Sequence, residues 1–149
     1  MILAGDIGGT KTILALYSLK DGVEAGALVR KRYRSADYEA LEDIIEEFLN
    51  EADLPVAASI GVAGPVAEQK SQITNLPWHI DAEAIARRFS IGQVQLVNDL
   101  EAIASAVPYF TSEDLHTLHE GVAEPHGTIA VIAPGTGLGA AFLVWTGSQ

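Results

Sequence analysis

Apolar positions along this chain fall into short runs that break repeatedly at glycine. Ile2-Leu3-Ala4 leads into Gly5-Asp6-Ile7-Gly8-Gly9-Thr10-Lys11-Thr12, and alternation resumes at Ile13-Leu14-Ala15-Leu16-Tyr17. The pattern predicts a strand, a tight Gly-rich turn and a second β-favouring run over 13–19. Asp21-Gly22 marks a turn, 27–33 supplies a third strand, and Ser35-Ala36-Asp37 offers a helix start. Tyr38, Leu41, Ile44, Ile45, Phe48, Leu49 and Ala52 then recur at helical spacing, with Glu39, Glu42 and Asp43 early, where negative charge suits the helix dipole. A buried strand over 56–63 ends in Gly64-Pro65, and a shorter helix over 81–89 carries Arg87 and Arg88 at its end. Val94 to Val97 reads as a strand, and Asn98-Asp99 ends it directly before a helix over 100–107 that Pro108 closes. Residues 108–126 read as an irregular connection with a helical turn over 113–118. Two apolar runs, 128–133 and 140–145, close the chain around Pro134-Gly135-Thr136-Gly137-Leu138-Gly139. Hairpins first, then strands alternating with helices, predict a mixed α/β sheet flanked by helices on both faces.

The first Gly-rich turn carries candidate chemistry. A strand-turn-strand can wrap a nucleotide's phosphates with backbone N–H groups. Glycine permits close approach and tolerates positive φ; Thr10 adds a hydroxyl donor, and Asp6 can face a metal carried by the phosphates. Gly5 and Lys11-Thr12 nearly match the G-x-x-x-x-G-K-[ST] spacing, but Thr10 stands where the second glycine belongs, and the following run is β-favouring where that motif requires a helix. An ordinary tight hairpin remains the plain reading, against which Asp6 weighs, since a turn alone does not require it.

Gly135-Thr136-Gly137-Leu138-Gly139 is a second turn of the same type. Gly135, Gly137 and Ala140 also satisfy G-x-G-x-x-A, yet the next residues are strand-like where a dinucleotide fingerprint opens a helix. Asn98-Asp99 lies at the carboxyl end of a strand, where open α/β sheets place ligands. Both residues also cap helices well, so capping and a role as acceptor of a hydroxyl proton in phosphoryl transfer both stand. Trp78 reads as packing, and His79, His116, His119 and His126 have no metal-binding context. Glu42, Glu46, Glu47 and Glu51 read as a solvated helix face.

Composition narrows the partners. The 149 residues are 48% hydrophobic and 19% charged, one domain's worth of soluble globular protein. Nine Lys and Arg against 20 Asp and Glu give a net charge of -11, so phosphate would be held by backbone dipoles and a metal, and nucleic acid is an unsuitable partner. The absence of cysteine excludes disulfides and thiolate zinc sites and fits a reducing cytoplasm. No basic n-region or membrane-length apolar run is present, which predicts an unexported chain without a membrane partner. The run over 140–145 leaves a strand edge exposed at the end of the sequence, which reads as a fragment prone to association through that strand.

Gly5-Asp6-Ile7-Gly8-Gly9-Thr10, Gly61-Val62-Ala63-Gly64-Pro65, Thr74-Asn75-Leu76-Pro77-Trp78, Asn98-Asp99-Leu100-Glu101-Ala102-Ile103-Ala104 and Ala133-Pro134-Gly135-Thr136-Gly137-Leu138-Gly139, in that order, resemble the bacterial glucokinases. The resemblance implies an actin-like, ribonuclease-H-type fold with two lobes around a cleft, of which 1–149 is the N-terminal lobe and a single domain. It implies phosphoryl transfer from ATP, with magnesium, to the 6-hydroxyl of glucose, the first step of glycolysis, in a homo-oligomeric cytoplasmic enzyme. By the family pattern Asp99 is the general base. Asn98 and Asp99 bind sugar hydroxyls, and Asn75 with Gly64 and Pro65 lies near the sugar. Gly5, Asp6, Ile7, Gly8, Gly9, Thr10, Lys11, Thr136 and Gly137 surround the nucleotide phosphates, Asp6 assisting magnesium through water. Lys11 fills a position where the family often has Asn. The family's Glu-x-Gly-His sugar segment, a further glutamate and the adenosine loop belong beyond Gln149, so the resemblance implies that this chain alone is inactive. The repressor, ORF and kinase family is the nearest alternative. Its sugar-responsive regulators carry a helix-turn-helix ahead of the clasp, whereas Met1 leads straight into the first strand.

Overall fold

A computed structural model describes residues 1–20, 26–50, 52–73, 75–122, 124–134 and 138–147. The chain divides into two compact units, Met1–Asp99 and Leu100–Gln149. The first holds strands β1 (Ile2–Ile7), β2 (Lys11–Tyr17), β3 (Val29–Arg34), β4 (Ala57–Val62), β5 (Val66–Ala67), β6 (Lys70–Gln72), β7 (His79–Asp81) and β8 (Gln93–Asn98), with helices α1 (Leu41–Leu49) and α2 (Ala82–Phe89). Helix α3 (Asp99–Ala106) follows, then β9 (Ile129–Pro134) and β10 (Leu138–Leu143).

The main sheet has the order β3-β2-β1-β4-β8. β1 pairs antiparallel with β2 and parallel with β4, β4 runs parallel to β8, and β3 is antiparallel to β2. The mixed α/β expectation therefore holds. Period-2 alternation sends Leu3 and Ile7, Thr12, Leu14 and Leu16, Ala58, Ile60 and Val62, and Leu96 to one face. There they join Leu41, Ile44, Ile45 and Phe48 of α1 in a single core. Gly5 sits in this face between Leu14 and Ile60, and a Cβ on it would come within 3.2 Å of Ile60 Cγ2. The β3 margin carries Arg30, Lys31, Arg32 and Arg34, charge that discourages another strand from pairing there.

Several local expectations are corrected. Ser35-Ala36-Asp37 forms a separate 3₁₀ turn and the α-helix starts only at Leu41, because Ser35 is fully buried with its hydroxyl turned to Gly8. Ala40 has no side-chain acceptor; Asp43 Oδ2 accepts from the Ala40 N–H at 3.1 Å instead, half of a capping box. Glu46 and Glu47 do lie on an exposed helix face, where Glu46 accepts from Arg88 at 2.6 Å and Glu47 from the Tyr38 hydroxyl at 2.9 Å. Residues 66–81, to which the residue pattern assigns no strand, contain the antiparallel sheet β5-β6-β7. Its Glu68-Gln69 turn is left-handed at both residues, φ 50° and 58°, without glycine. Gln69 then covers the outer edge of β8, its Oε1 accepting from Leu96 N–H at 2.8 Å. Asp81 caps α2, accepting from Glu83 and Ala84 N–H, and pairs with Lys70 at 3.0 Å. The turn predicted at Asp21-Gly22 lies outside the described residues.

In the second unit β9 and β10 form a two-stranded antiparallel sheet. Residues 113–118 contain no helix; Asp114 folds back on Thr111, accepting from its N–H at 2.9 Å and its hydroxyl at 2.8 Å. His126 stacks on Trp145 with ring centroids 4.3 Å apart. No helix among the described residues is long and apolar enough to cross a membrane.

Candidate functional site

The three parallel strands of the main sheet end in register. Ile7 of β1 lies beside Val62 of β4, which lies beside Asn98 of β8. At about 4.8 Å per strand this puts the Gly8-Gly9 turn, the Gly64-Pro65 turn and Asn98-Asp99 along one sheet end only about 10 Å wide. The carboxyl ends of parallel strands are where α/β sheets gather ligands. One row further back, Asp6, Gly61 and Val97 are neighbours. Pleat alternation puts them on the face opposite Asn98.

The ends are tied to one another. Ala63 N–H donates to Ile7 O at 2.9 Å, and Asn98 Nδ2 donates to Gly64 O at 3.0 Å. A Cβ on Gly64 would meet Gln72 O at 2.9 Å and Ser71 Oγ at 3.3 Å, so the turn closes only around glycine. Pro65 is exposed, while Asn98 and Asp99 are half-buried, with Asp99 the first residue of α3.

The turn between β1 and β2 is equally constrained. Gly8 N–H donates to Lys11 O at 2.9 Å, the Ser35 hydroxyl donates to Gly8 O at 2.8 Å, and Ser35 N–H donates to Thr10 O at 3.2 Å. Thr12 Oγ1 lies 3.0 Å from Ser35 Oγ, both residues fully buried. Neither Gly8 nor Gly9 has positive φ, so the expected conformational reason for glycine is corrected: space requires it. A Cβ on Gly9 would come within 3.0 Å of Asn75 Cβ. Asn75 thus packs against the Gly8-Gly9 turn. Asp6, Thr10 and Lys11 are exposed, and Trp78 is buried, its indole N–H donating to Tyr38 O at 3.3 Å. Thr74, Thr136 and Gly137 lie outside the described residues.

The metal question can be put to the donor set. Among the described residues no cluster of three or more His, Cys, Asp or Glu could hold an ion. A lone exposed carboxylate at Asp6, on the strand leading into the turn, suits magnesium, which keeps several waters and binds through one or two carboxylates plus phosphate oxygens. Sequence reading missed Ser35, Thr12, Gln69 and Ser71, whose positions depend on contacts remote in the chain.

This topology, with helices flanking the sheet, is the actin-like, ribonuclease-H-like fold of the sugar kinases. A glucokinase from an Antarctic psychrotroph superposes with a TM-score of 0.84 at 35% identity, over 98% of this chain and 47% of that one. A ROK family glucokinase from Streptomyces griseus, solved with glucose and AMPPNP, shares the fold at a TM-score of 0.63 and 22% identity, over 96% of this chain and 44% of that one. The glucokinase family model matches residues 3–149, and the chain belongs to that family. The glucokinase of Nostoc sp. (strain PCC 7120) is 38% identical over 152 residues, covering 100% of this chain and 44% of that protein. That of Caulobacter vibrioides (strain NA1000) is 37% identical over 144 residues, covering 95% and 43%. The chain thus spans less than half the length of the curated relatives it matches.

Proposed function

We propose that this chain is the N-terminal lobe of a two-lobed cytoplasmic glucokinase that transfers a phosphoryl group from ATP to the 6-hydroxyl of glucose. The observation that carries this reading is the register of β1, β4 and β8, whose ends bring the Gly-rich turn, the Gly64-Pro65 turn and Asn98-Asp99 to one edge. The Asp99 carboxylate takes the proton of the 6-hydroxyl as that oxygen bonds to the γ-phosphorus and the bond from phosphorus to the bridging oxygen of ADP breaks. Asn98, fixed by its bond to Gly64 O, together with Asn75 and the Gly64-Pro65 turn, orients the sugar hydroxyls. Gly5, Asp6, Ile7, Gly8, Gly9, Thr10 and Lys11 hold the phosphates. Asp6 would hold magnesium through water, and the ion would neutralise phosphate charge. Family membership and the S. griseus complex with glucose and AMPPNP support the ligand classes.

Phosphoryl transfer depends on positioning and charge stabilisation, so the 149-residue chain alone should form no measurable ADP in a glucose-dependent coupled assay. Extended to the length of its relatives, it should turn over. Asp99→Asn in that longer protein should then lower kcat by about a hundredfold or more, with a smaller change in glucose affinity. Asparagine caps a helix about as well as aspartate, so near-normal turnover would leave Asp99 only a capping role.

A further inference from the structure

We infer that Ser35 is a positioning residue for phosphate binding: through the Gly8 carbonyl it aims the Gly9 N–H into the turn. The inference rests on the reading of residues 5–11 as a phosphate clasp. Ser35 stands on the 3₁₀ turn after β3, 27 residues from Gly8 in sequence, and it is fully buried. A serine hydroxyl has one proton, and here it is donated to Gly8 O at 2.8 Å. The 3.0 Å contact between Thr12 Oγ1 and Ser35 Oγ must therefore have Thr12 as donor. The two buried hydroxyls form a directed chain, Thr12 to Ser35 to the Gly8 carbonyl, in which each bond polarises the next.

The consequence falls on the next peptide group. No described peptide bond is cis, and across a planar trans peptide the C=O of one residue and the N–H of the next point in opposite directions. With its carbonyl held inward by Ser35, the Gly8-Gly9 peptide turns the Gly9 N–H away from the core. Among the described residues that N–H donates to no protein acceptor. A peptide between two glycines has no Cβ to resist rotation. Without the Ser35 bond it can flip and present its carbonyl oxygen to the anion, replacing a donor with a repulsive acceptor.

The test is calorimetric titration of magnesium pyrophosphate into the 149-residue chain and its variants, with the Gly9 amide followed by NMR. Ser35→Ala should raise the dissociation constant about tenfold, the scale of one hydrogen bond to a charged group, and abolish the shift of the Gly9 amide on binding. Ser35→Cys, similar in size but a weak donor, should fall between the two, and it decides the matter if the alanine variant does not fold. Ile45→Val, a core change, should lower the melting temperature and leave affinity intact. Wild-type affinity in the folded Ser35→Ala chain, or in Ser35→Cys, overturns the inference while the clasp reading stands. A wild-type chain that ignores pyrophosphate overturns both.

Discussion

The two Gly-rich hairpins share a pattern and differ in fate. In each, a six-residue strand and a second apolar strand stand on either side of a Gly-containing stretch of sequence: β1 and β2 on either side of residues 8–10, β9 and β10 on either side of the Gly-rich stretch that Pro134 opens. Leu3, Ile7 and Leu14 of the first pair are fully buried, whereas Ile132, Leu138 and Phe142 of the second are 66%, 76% and 67% exposed. Each unit supplies its own explanation. The first hairpin is flanked by β3 and β4 and roofed by α1; among the described residues of the second unit β9 and β10 form a two-stranded sheet. An isolated two-stranded ribbon is marginal in water. Burial is thus a property of what surrounds a hairpin, and the apolar pattern alone does not specify it.

Truncation in the two hairpins should expose this difference most strongly. Leu14→Ala should cost about 2–5 kcal/mol in chemical denaturation, while Ile132→Ala, on an exposed strand, should stay within about 0.5 kcal/mol. Equal losses would mean that β9 and β10 pack far better than their exposure indicates. At high protein concentration the bare apolar strand should also drive self-association, with Phe142→Lys reducing it in sedimentation. Amides of β9 and β10 should exchange with solvent well before those of β1, and matched rates would undo the contrast.

Titration gives smaller effects. The hydrogen bond from the Tyr38 hydroxyl to Glu47 is the main cause that pushes this phenol up to about 12, partial burial and the charge of Glu47 adding to it. A raised value favours the protonated phenol in the fold, so its contribution is full below pH about 10 and fades as pH rises through about 12. Glu47→Gln should return the ultraviolet titration midpoint toward the ordinary tyrosine value; no movement would remove Glu47 as the cause.

The smallest effect separates two carboxylates. Asp81, in the first unit, is held below the usual range chiefly by its hydrogen bond from Lys70, with the Ala84 N–H next. Asp114, in the second, is lowered by the N–H and hydroxyl of Thr111. Both contribute above the ordinary carboxylate range and lose that contribution as pH falls through their lowered values. Added salt should move Asp81 back toward the usual range by screening Lys70 and leave Asp114 where it is, as followed by NMR titration. A parallel shift of both would contradict these causes.

Much of this was legible in the residue pattern. Strand β2 and helix α1 carry clear period-2 and 3.6 signals, β1, β4 and β8 read as short apolar runs, and Asn98-Asp99 stood out by ending a strand. The strands β5, β6 and β7 did not, because two or three residues are too few to show a period. Ser35 reads as a cap from its neighbours, and only the fold turns its hydroxyl to Gly8. The glycines at 8 and 9 were visible, but their reason, the nearness of Lys11 O and Asn75, required tertiary contacts.

The shared register of Ile7, Val62 and Asn98 also constrains how the gene can vary. Substitution within a strand leaves the three ends aligned. One inserted or deleted codon inside β4 or β8 slides that end by about 3.3 Å and inverts every side chain beyond it. Coding changes that alter length should therefore be purged from these strands while point changes persist. The exposed stretch 111–122 should accumulate length differences among descendants of this sequence.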